Sequence, residues 1–306
     1  LREGIAYAHA HGVKCYITVN IMPSNRDLPA LPAYLELLQD AGADALIIAD
    51  VGVLRMARRY APKVPVHIST QTSILNHEAA NYWADEGAER IVLARELSLE
   101  EIAEIRAKTP KELEIEAFVH GAMCISYSGR CLISQYMTGR DANHGACAQP
   151  CRWNYSLMEE KRPGQFFPVE EDGRGTYLYN SKDMCMIEHV PELIEAGITS
   201  FKIEGRNKTA YYAACVTGAY RAAIDTYKKD PENFVLPQFC RDEVNKVSHR
   251  EYYTGFYFGN QENGQHYGDS QYIREYEVVG MPVECDDSGK AVFALKNRFF
   301  DGEELE

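Results

Sequence analysis

The chain of 306 residues can form one large domain or two small ones, and its 45% apolar content is typical of a globular protein with a substantial core. Its formal net charge of −13 disfavours non-specific binding to nucleic acid or anionic lipid, so a nucleic-acid substrate would need a local basic patch. An odd number of cysteines, with no secretory leader and no apolar run of membrane-spanning length, predicts a cytoplasmic protein that does not cross a membrane.

The first half of the chain alternates short β-branched runs with amphipathic stretches of helical period. Strands are predicted at 14–20, 45–50, 64–69, 90–94 and 113–119. Helices are predicted at 31–41, 53–60, 76–86 and 98–109. Helical runs stop before Gly12, Gly42 and Gly87, where glycine can supply a left-handed cap, and Ser98 to Glu101 is a capping box. This alternation predicts a parallel sheet with helices packed on it.

The alternation resumes after residue 185, with a helical run ending at Gly197, a strand at 199–204 and a helix at 208–228. We therefore predict an α/β fold, a (β/α)8 TIM-type barrel, over residues 1–235. Six barrel strands are recognisable, so we expect two more before Leu1. Residues 120–185, here named the Cys-rich insertion, interrupt the pattern, and long insertions are usually functional. Residues 236–306 predict a linker and the start of a truncated β-rich domain, with strands at 272–280 and 290–295.

The Cys-rich insertion contains five of the nine cysteines: Cys124, Cys131, Cys147, Cys151 and Cys185. Free cysteine is usually a small buried apolar residue, which suits the other four positions. The first four of the insertion lie instead in polar, turn-forming sequence. Structural zinc usually shows closely paired cysteines, whereas irregular spacing suits an iron–sulfur cluster held from separate loops. A cluster is therefore placed ahead of zinc, and both ahead of disulfides.

Polar residues follow the predicted strands, at what would be the active face of a barrel. They are Asn20, Asp50, Gln71, Arg95, His120, Glu204 and Arg206. Most polar loop residues only cap helices or bond loops, so the hypothesis that these are catalytic depends on their convergence in one pocket. His67 lies inside a predicted strand and is interpreted as a core histidine.

Basic residues concentrate in the Cys-rich insertion and beside the last barrel strand: Arg130, Arg140, Arg152, Lys182, Lys202, Arg206 and Lys208. Scattered surface charge is the simplest explanation. Their coincidence with the cysteines favours a local site for an RNA phosphate or a carboxylate. Nearby aromatic residues, among them Tyr127, Tyr136 and Trp153, could stack on bases or pack over a cluster.

The run from Glu116 to Ser134 reads Glu-x-Phe-x-x-Gly-Ala-Met-Cys-x6-Cys-x-Ile-Ser. It closely resembles the signature of the peptidase U32 family, often labelled collagenase-like proteases. The likeness continues through 139–153, 180–183, 201–206 and 248–256. The last of these stretches is most similar to bacterial members that hydroxylate the wobble uridine of tRNA. The resemblance implies a (β/α)8 barrel with a β-rich C-terminal domain.

The resemblance also implies a function: oxygen-independent formation of 5-hydroxyuridine in tRNA, with a [4Fe–4S] cluster and with prephenate as a co-substrate. The family's C-x6-C pair matches Cys124 and Cys131, the third ligand matches Cys147 or Cys151, and the fourth matches Cys185. A U32-type peptidase is the alternative, although neither a G-x-S-x-G nor an H-E-x-x-H motif is present. A non-catalytic scaffold that carries a cluster for a partner is a third hypothesis.

Overall fold

The computed structural model describes residues 1–124, 126–127, 130–131, 133–153, 156–158, 166–168, 181–259 and 272–303. The described residues form these helices: α1 (Arg2–Ala10), α2 (Leu31–Asp40), α3 (Val51–Tyr60), α4 (His77–Asp85), α5 (Leu99–Ala107), α6 (Ile133–Thr138), α7 (Val190–Glu195), α8 (Ala210–Lys229) and α9 (Gln238–Lys246). They form these strands: β1 (Tyr16–Val19), β2 (Ala45–Ile48), β3 (Val66–Ile68), β4 (Arg90–Val92), β5 (Glu114–Ala122), β6 (Ser156–Met158), β7 (Phe166–Pro168), β8 (Asp183–Cys185), β9 (Ser200–Glu204), β10 (Tyr252–Tyr253), β11 (Gly280–Cys285) and β12 (Ala291–Leu295). Short 3-10 turns lie at Leu28–Ala30, Thr70–Thr72, Ala142–His144, Pro150–Arg152 and Ile187–His189.

The main sheet is built from strands that run parallel and follow one another in chain order. β1 to β5 lie side by side, each joined to the next through a helix, and β9 pairs parallel with β5. β8 pairs antiparallel with the last residues of β5, and β10 pairs parallel with β8. The predicted α/β class with a parallel sheet is therefore confirmed.

Local signals in the sequence set the ends of the helices. Gly12, Gly42 and Gly87 adopt φ values of 70°, 80° and 73°, the left-handed conformation that glycine accepts without strain. The Ser98 and Glu101 side chains form the predicted capping box at the start of α5. Each of these glycines ends a helix, and the chain then enters the next strand of the parallel sheet.

Apolar side chains from the helices and the strands form the core. Ile48 on β2 is 1% exposed, and Leu35 and Leu38 on α2 are fully buried. Each such burial stabilises the fold by roughly 1.5–3 kcal/mol relative to exposure of the side chain. Among the described residues, no helix combines the length and the apolar character needed to cross a membrane.

Packing divides the chain into two compact units. The first comprises 1–204 with 252–270, and the second comprises 205–251 with 271–306. The first unit contains the main sheet. In the second unit, α8 packs along α9, and β11 pairs with β12 in a hairpin. The domain boundary expected after residue 235 stays a prediction.

The two strand predictions near the end of the chain have different outcomes. β12 confirms the one at 290–295, whereas the one at 272–280 is wrong, since β11 begins only at Gly280. The earlier residues are held by side chains: the Tyr272 ring lies 4.3 Å from Lys208 Nζ and 4.7 Å from the Arg250 guanidinium. These cation–π contacts, together with an isolated antiparallel bridge between Ile273 and His249, hold the segment without forming a regular strand. β11 gains its partner from the turn at Asp286, whose carboxylate accepts two backbone N–H bonds.

Candidate active site at the carboxyl edge of the sheet

The carboxyl ends of the parallel strands form one edge of the main sheet, here named the carboxyl edge. Asn20 follows β1, Asp50 follows β2, Gln71 and Arg95 lie just beyond β3 and β4, and Glu204 ends β9. Because these strands are parallel, the five residues lie along the same edge. Their convergence in a single pocket stays a prediction.

Two of these residues have clear structural contacts. The Asn20 amide donates to Ser69 Oγ at 3.2 Å, and this oxygen also accepts the backbone N–H of Gln71. Asp50 caps α3, because its Oδ1 accepts the Val53 N–H at 2.9 Å. A capping role explains Asp50 without any catalytic function.

Gly121 allows β5 and β9 to approach closely at the carboxyl edge. It has a φ of 109°, and a methyl group there would overlap the backbone carbonyl of Glu204. His120 precedes it, is 1% exposed, and places Nε2 3.4 Å from the Tyr252 hydroxyl. In the strand register, His120 lies opposite Cys185 of β8. The histidine therefore joins the carboxyl edge to the end of the Cys-rich insertion.

Sequence reasoning missed Tyr252, which stands 132 residues after His120. The stretch around it attracted attention only through the family resemblance, since no local pattern assigns a chemical role to a tyrosine. β10 contributes the residue by pairing with β8, and that pairing is not visible in either segment alone.

The five cysteines of the Cys-rich insertion are partly buried, and none of them forms a disulfide within the described part of the chain. Cys124 lies two residues beyond β5, and Cys185 ends β8, so the first and last of the predicted ligands belong to neighbouring strands. Cys131 and Cys147 lie between them, in the part of the insertion that carries α6 and the short turns.

Backbone amides are directed at two of these sulfurs. Cys131 Sγ accepts the Ile133 N–H at 3.4 Å, and Cys147 Sγ accepts the Gln149 N–H at 3.3 Å. Gln149 adopts a φ of 56°, in the left-handed region that residues other than glycine rarely adopt. Hydrogen bonds to the sulfur ligands of a metal centre tune the reduction potential of that centre. The donor chemistry therefore fits a thiolate-bound metal or cluster.

The complete ligand set is not assembled in the described residues. No group of three or more His, Cys, Asp or Glu side chains among them lies in an arrangement suited to a metal ion. The set Cys124, Cys131, Cys147 and Cys185, with Cys151 as the alternative ligand, therefore stays a prediction.

The Cys-rich insertion is attached to the carboxyl edge by hydrogen bonds. Arg130 Nε donates to the Gln71 carbonyl at 2.9 Å. The Asn143 carbonyl accepts the Met22 N–H at 3.1 Å, and the Asn143 amide donates to the Cys131 carbonyl at 3.3 Å. The loops after β1 and β3 thus hold the insertion beside the polar strand ends.

A histidine between two carboxylates reinforces this attachment. His144 Nδ1 lies 2.8 Å from Asp141 Oδ2, and Nε2 lies 3.5 Å from Asp27 Oδ2. The hydrogen bond to Asp141 is the main cause that raises the pKa of His144, and Asp27 adds to it. Since Asp27 belongs to the loop after β1, protonation of His144 strengthens this attachment.

The predicted basic residues occupy different environments. Arg130 and Arg140 are exposed, and Lys182 is half-buried beside β8. The Arg152 backbone lies in a 3-10 turn, and its side chain falls outside the described part of the chain. Arg206 is exposed and belongs to the second unit. Arg130 and Arg140 are therefore the best placed of the predicted phosphate contacts.

Lys202 was predicted to contribute to a basic substrate site. In the structure, its side chain forms an ion pair within a largely buried charge network. Its Nζ lies 2.6 Å from Glu116 Oε1, and Glu116 also accepts bonds from Ser200 at 2.8 Å and Arg90 at 2.9 Å. Burial alone would raise the pKa of Glu116, but Lys202, Ser200 and Arg90 together lower it. Glu116 is therefore an anion that holds β4, β5 and β9 together. The sequence signal that could have identified Glu116 was a carboxylate placed between apolar residues in the strand predicted at 113–119.

His67 is buried in the sheet, as interpreted from the sequence. It is 5% exposed, and its ring centroid lies 4.8 Å from that of Tyr16. Burial lowers the pKa of His67 to about 4, and the positive charge of Arg90 contributes further. The imidazole is therefore neutral at physiological pH.

We expect acid to destabilise the protein partly through His67. In the unfolded chain this residue takes up a proton near pH 6.5, whereas in the folded chain it resists protonation until about pH 4. Stability is therefore lost as the pH falls through this window, by at most about 3 kcal/mol. The thermal midpoint of the His67→Gln variant should fall less than that of the wild type between about pH 7.5 and pH 4.5. A His11→Gln variant serves as the exposed control, and equal falls in all three proteins would contradict the expectation.

Comparison with known proteins adds to this geometry. The profile of Peptidase family U32 matches residues 1–267. The "tRNA hydroxylation protein P1" of Bacillus subtilis (strain 168) is 40% identical over 308 residues, covering 100% of this chain and 72% of that protein. The "tRNA hydroxylation protein P" of Escherichia coli (strain K12) is 36% identical over 354 residues, covering 100% of this chain and 76% of that protein. The "23S rRNA 5-hydroxycytidine C2501 synthase" of the same strain is 38% identical over 289 residues, covering 92% of this chain and 42% of that protein.

Proposed function

We propose that this chain, which belongs to peptidase family U32, is an RNA-modifying enzyme that hydroxylates the wobble uridine of tRNA to 5-hydroxyuridine. The observation that carries the proposal is the identity of 40% with a tRNA hydroxylation protein over the whole chain. A third relative is named for a hydroxylated cytidine in ribosomal RNA, so hydroxylation of RNA recurs among the similar proteins. The place of action would be the cytoplasm, where tRNA is found and thiols stay reduced.

The Cys-rich insertion offers a surface for unpaired RNA. Tyr136 is 88% exposed, Tyr127 54% and Trp153 46%. Such exposure favours stacking on bases over packing on a cluster, since aromatic faces that stack with bases must be accessible. Arg130 and Arg140, exposed on the same insertion, would contact the backbone phosphates. This local surface would let an acidic protein bind RNA.

The carboxyl edge would receive the target base. We propose that the parallel sheet forms the wall of a (β/α)8 barrel, whose strand ends surround the reacting nucleotide. Gln71 Oε1 is buried and has no hydrogen-bond partner among the described residues, and the imide N–H of a uracil ring would satisfy it. His120, in contact with the Tyr252 hydroxyl, would hold or transfer a proton, and Asn20 and Glu204 would complete the polar surroundings.

The thiols of the Cys-rich insertion would hold a [4Fe–4S] cluster. Cys124, Cys131, Cys147 and Cys185 are the proposed ligands, with Cys151 as the alternative and zinc as the less favoured metal. When bound, a cluster of this kind supplies electron transfer for an oxidation that does not use oxygen gas. The amides of Ile133 and Gln149 would donate hydrogen bonds to the sulfur ligands of Cys131 and Cys147. Prephenate, a small dicarboxylate, is the proposed co-substrate.

The proposal is tested in a bacterial strain that lacks its own tRNA hydroxylation proteins. The wild-type chain should restore 5-hydroxyuridine in tRNA, measured by mass spectrometry of its nucleosides. Cys124→Ser and Cys131→Ser should abolish the modification and lower the iron content of protein purified without oxygen. Cys285→Ser is the matched control, because this exposed cysteine lies on β11, outside the insertion.

The peptidase alternative gives the opposite results. A wild-type protein that restores no 5-hydroxyuridine but cleaves denatured collagen would support it. Retention of modification and iron in both cysteine variants would instead remove Cys124 and Cys131 as ligands while leaving RNA hydroxylation in place.

A further inference from the structure

Arg95 is a half-buried cation at the carboxyl edge that has no acidic partner among the described residues. Its Nε atom is buried and makes no hydrogen bond within them. Arg90, five residues earlier on β4, provides the contrast, because its guanidinium forms ion pairs with both Glu114 and Glu116. Buried charges in proteins are normally paired. Because the described residues give Arg95 no acidic partner, its guanidinium points to an anion that comes from outside the chain.

The surroundings of Arg95 hold its guanidinium in place. Its central carbon lies 5.0 Å from the centroid of the Phe118 ring, a cation–π contact that orients the planar group. Tyr253 lies within reach of its charge: burial raises the pKa of this phenol to about 12, and Arg95 opposes that rise. Tyr253 is therefore a neutral hydroxyl beside the guanidinium. Asp183 and Glu96 also act on Tyr253, but in the described structure neither forms an ion pair with Arg95.

We propose that Arg95 binds an oxyanion of the substrate, with its two-pronged guanidinium facing a pair of carboxylate or phosphate oxygens. A planar guanidinium fits either group through two parallel hydrogen bonds. The inference rests on the proposed function, which supplies two sources of such a group: a phosphate of the tRNA and a carboxylate of the small co-substrate. It adds to that function a specific binding residue just beyond β4.

Binding measurements with an Arg95→Gln variant test this role. The probes are an unmodified tRNA transcript, followed by fluorescence anisotropy, and prephenate, followed by calorimetry. We expect the affinity for one probe to fall by about 10- to 100-fold, since a charge-assisted bond in a half-buried site is lost. Arg55→Gln, which removes an exposed arginine from α3, should leave both affinities unchanged.

The outcomes separate the two sources of the anion. A loss confined to prephenate assigns Arg95 to a carboxylate. A loss confined to tRNA, with the salt dependence of binding reduced by about one counterion, assigns it to a phosphate. Wild-type affinity for both probes in the variant would overturn the inference, although the proposed function would stand. A wild-type protein that binds neither probe would overturn both.

A second variant covers the case in which Arg95→Gln does not fold. Arg95→Lys keeps the positive charge but cannot form the two parallel bonds, so the affinity for the same probe should fall several-fold. Unchanged binding of both probes by this variant would also overturn the inference.

Discussion

Replacing Gly121 with alanine is expected to destabilise the first unit by about 4 kcal/mol. Part of this loss comes from the backbone, since a φ of 109° strains any residue that has a Cβ atom. The rest comes from overlap between the new methyl group and the Glu204 carbonyl, a backbone atom that cannot rotate away. The free energy of unfolding in urea measures the effect.

Gly4→Ala is the matched control for this substitution. Gly4 lies in α1 with open space around it, so alanine should stabilise the helix slightly or leave its stability unchanged. Equal stability of the Gly121→Ala variant and the wild type would show that β5 and β9 do not approach as closely as described. Because Glu204 ends β9 at the carboxyl edge, the variant should also lose activity, even where it remains folded.

Replacing Glu116 with glutamine is expected to cost about 3 kcal/mol of stability. The substitution removes the only carboxylate within ion-pair distance of Lys202 among the described residues, and it leaves Arg90 with Glu114 alone. Breaking a buried pair is costly because the remaining charge stays in a poorly solvated position. A double variant that also carries Lys202→Met should recover part of the loss, and comparison of the double variant with both single variants gives the coupling energy of the pair.

The neighbouring carboxylate provides the control. Glu114 is 49% exposed and also pairs with Arg90, so Glu114→Gln should cost no more than about 1 kcal/mol. The pKa of Glu116 is lowered in the fold, so its contribution is present above pH 4.5 and is lost as acid protonates the folded carboxylate. Similar losses for the two glutamine variants would argue against a buried network.

Much of the parallel sheet could be predicted because its signals are local. Alternating periodicity, glycine after the helices and a capping box each involve only a few consecutive residues, and they predicted β1 to β5 with their helices. α6 was missed because this six-residue helix lies within the polar, turn-forming sequence of the Cys-rich insertion. The strand predicted at 272–280 failed because the segment around Tyr272 is held by cation–π contacts with Lys208 and Arg250 and by a single bridge from Ile273 to His249.

The candidate site could be predicted only in part. Asn20, Gln71 and Glu204 reach the same edge because parallel strands end together, which the sequence pattern already implies. Ion pairing across strands depends on which strands are neighbours, and β9 joins β5 across an interval of about 80 residues. For that reason, the partners of Lys202, and the lack of an acidic partner for Arg95 among the residues that the structure describes, became visible only in three dimensions.

The exposure of Trp153 also gives the protein an intrinsic optical reporter. The chain has only two tryptophans, and Trp83 is 9% exposed on α4 whereas Trp153 is 46% exposed on the Cys-rich insertion. An aqueous quencher such as iodide therefore reaches one indole far more readily than the other. Any molecule that covers the insertion shields that indole, and a stacked base quenches its emission directly. Occupancy of this surface can thus be followed on the unlabelled protein, with Trp83 as the internal reference.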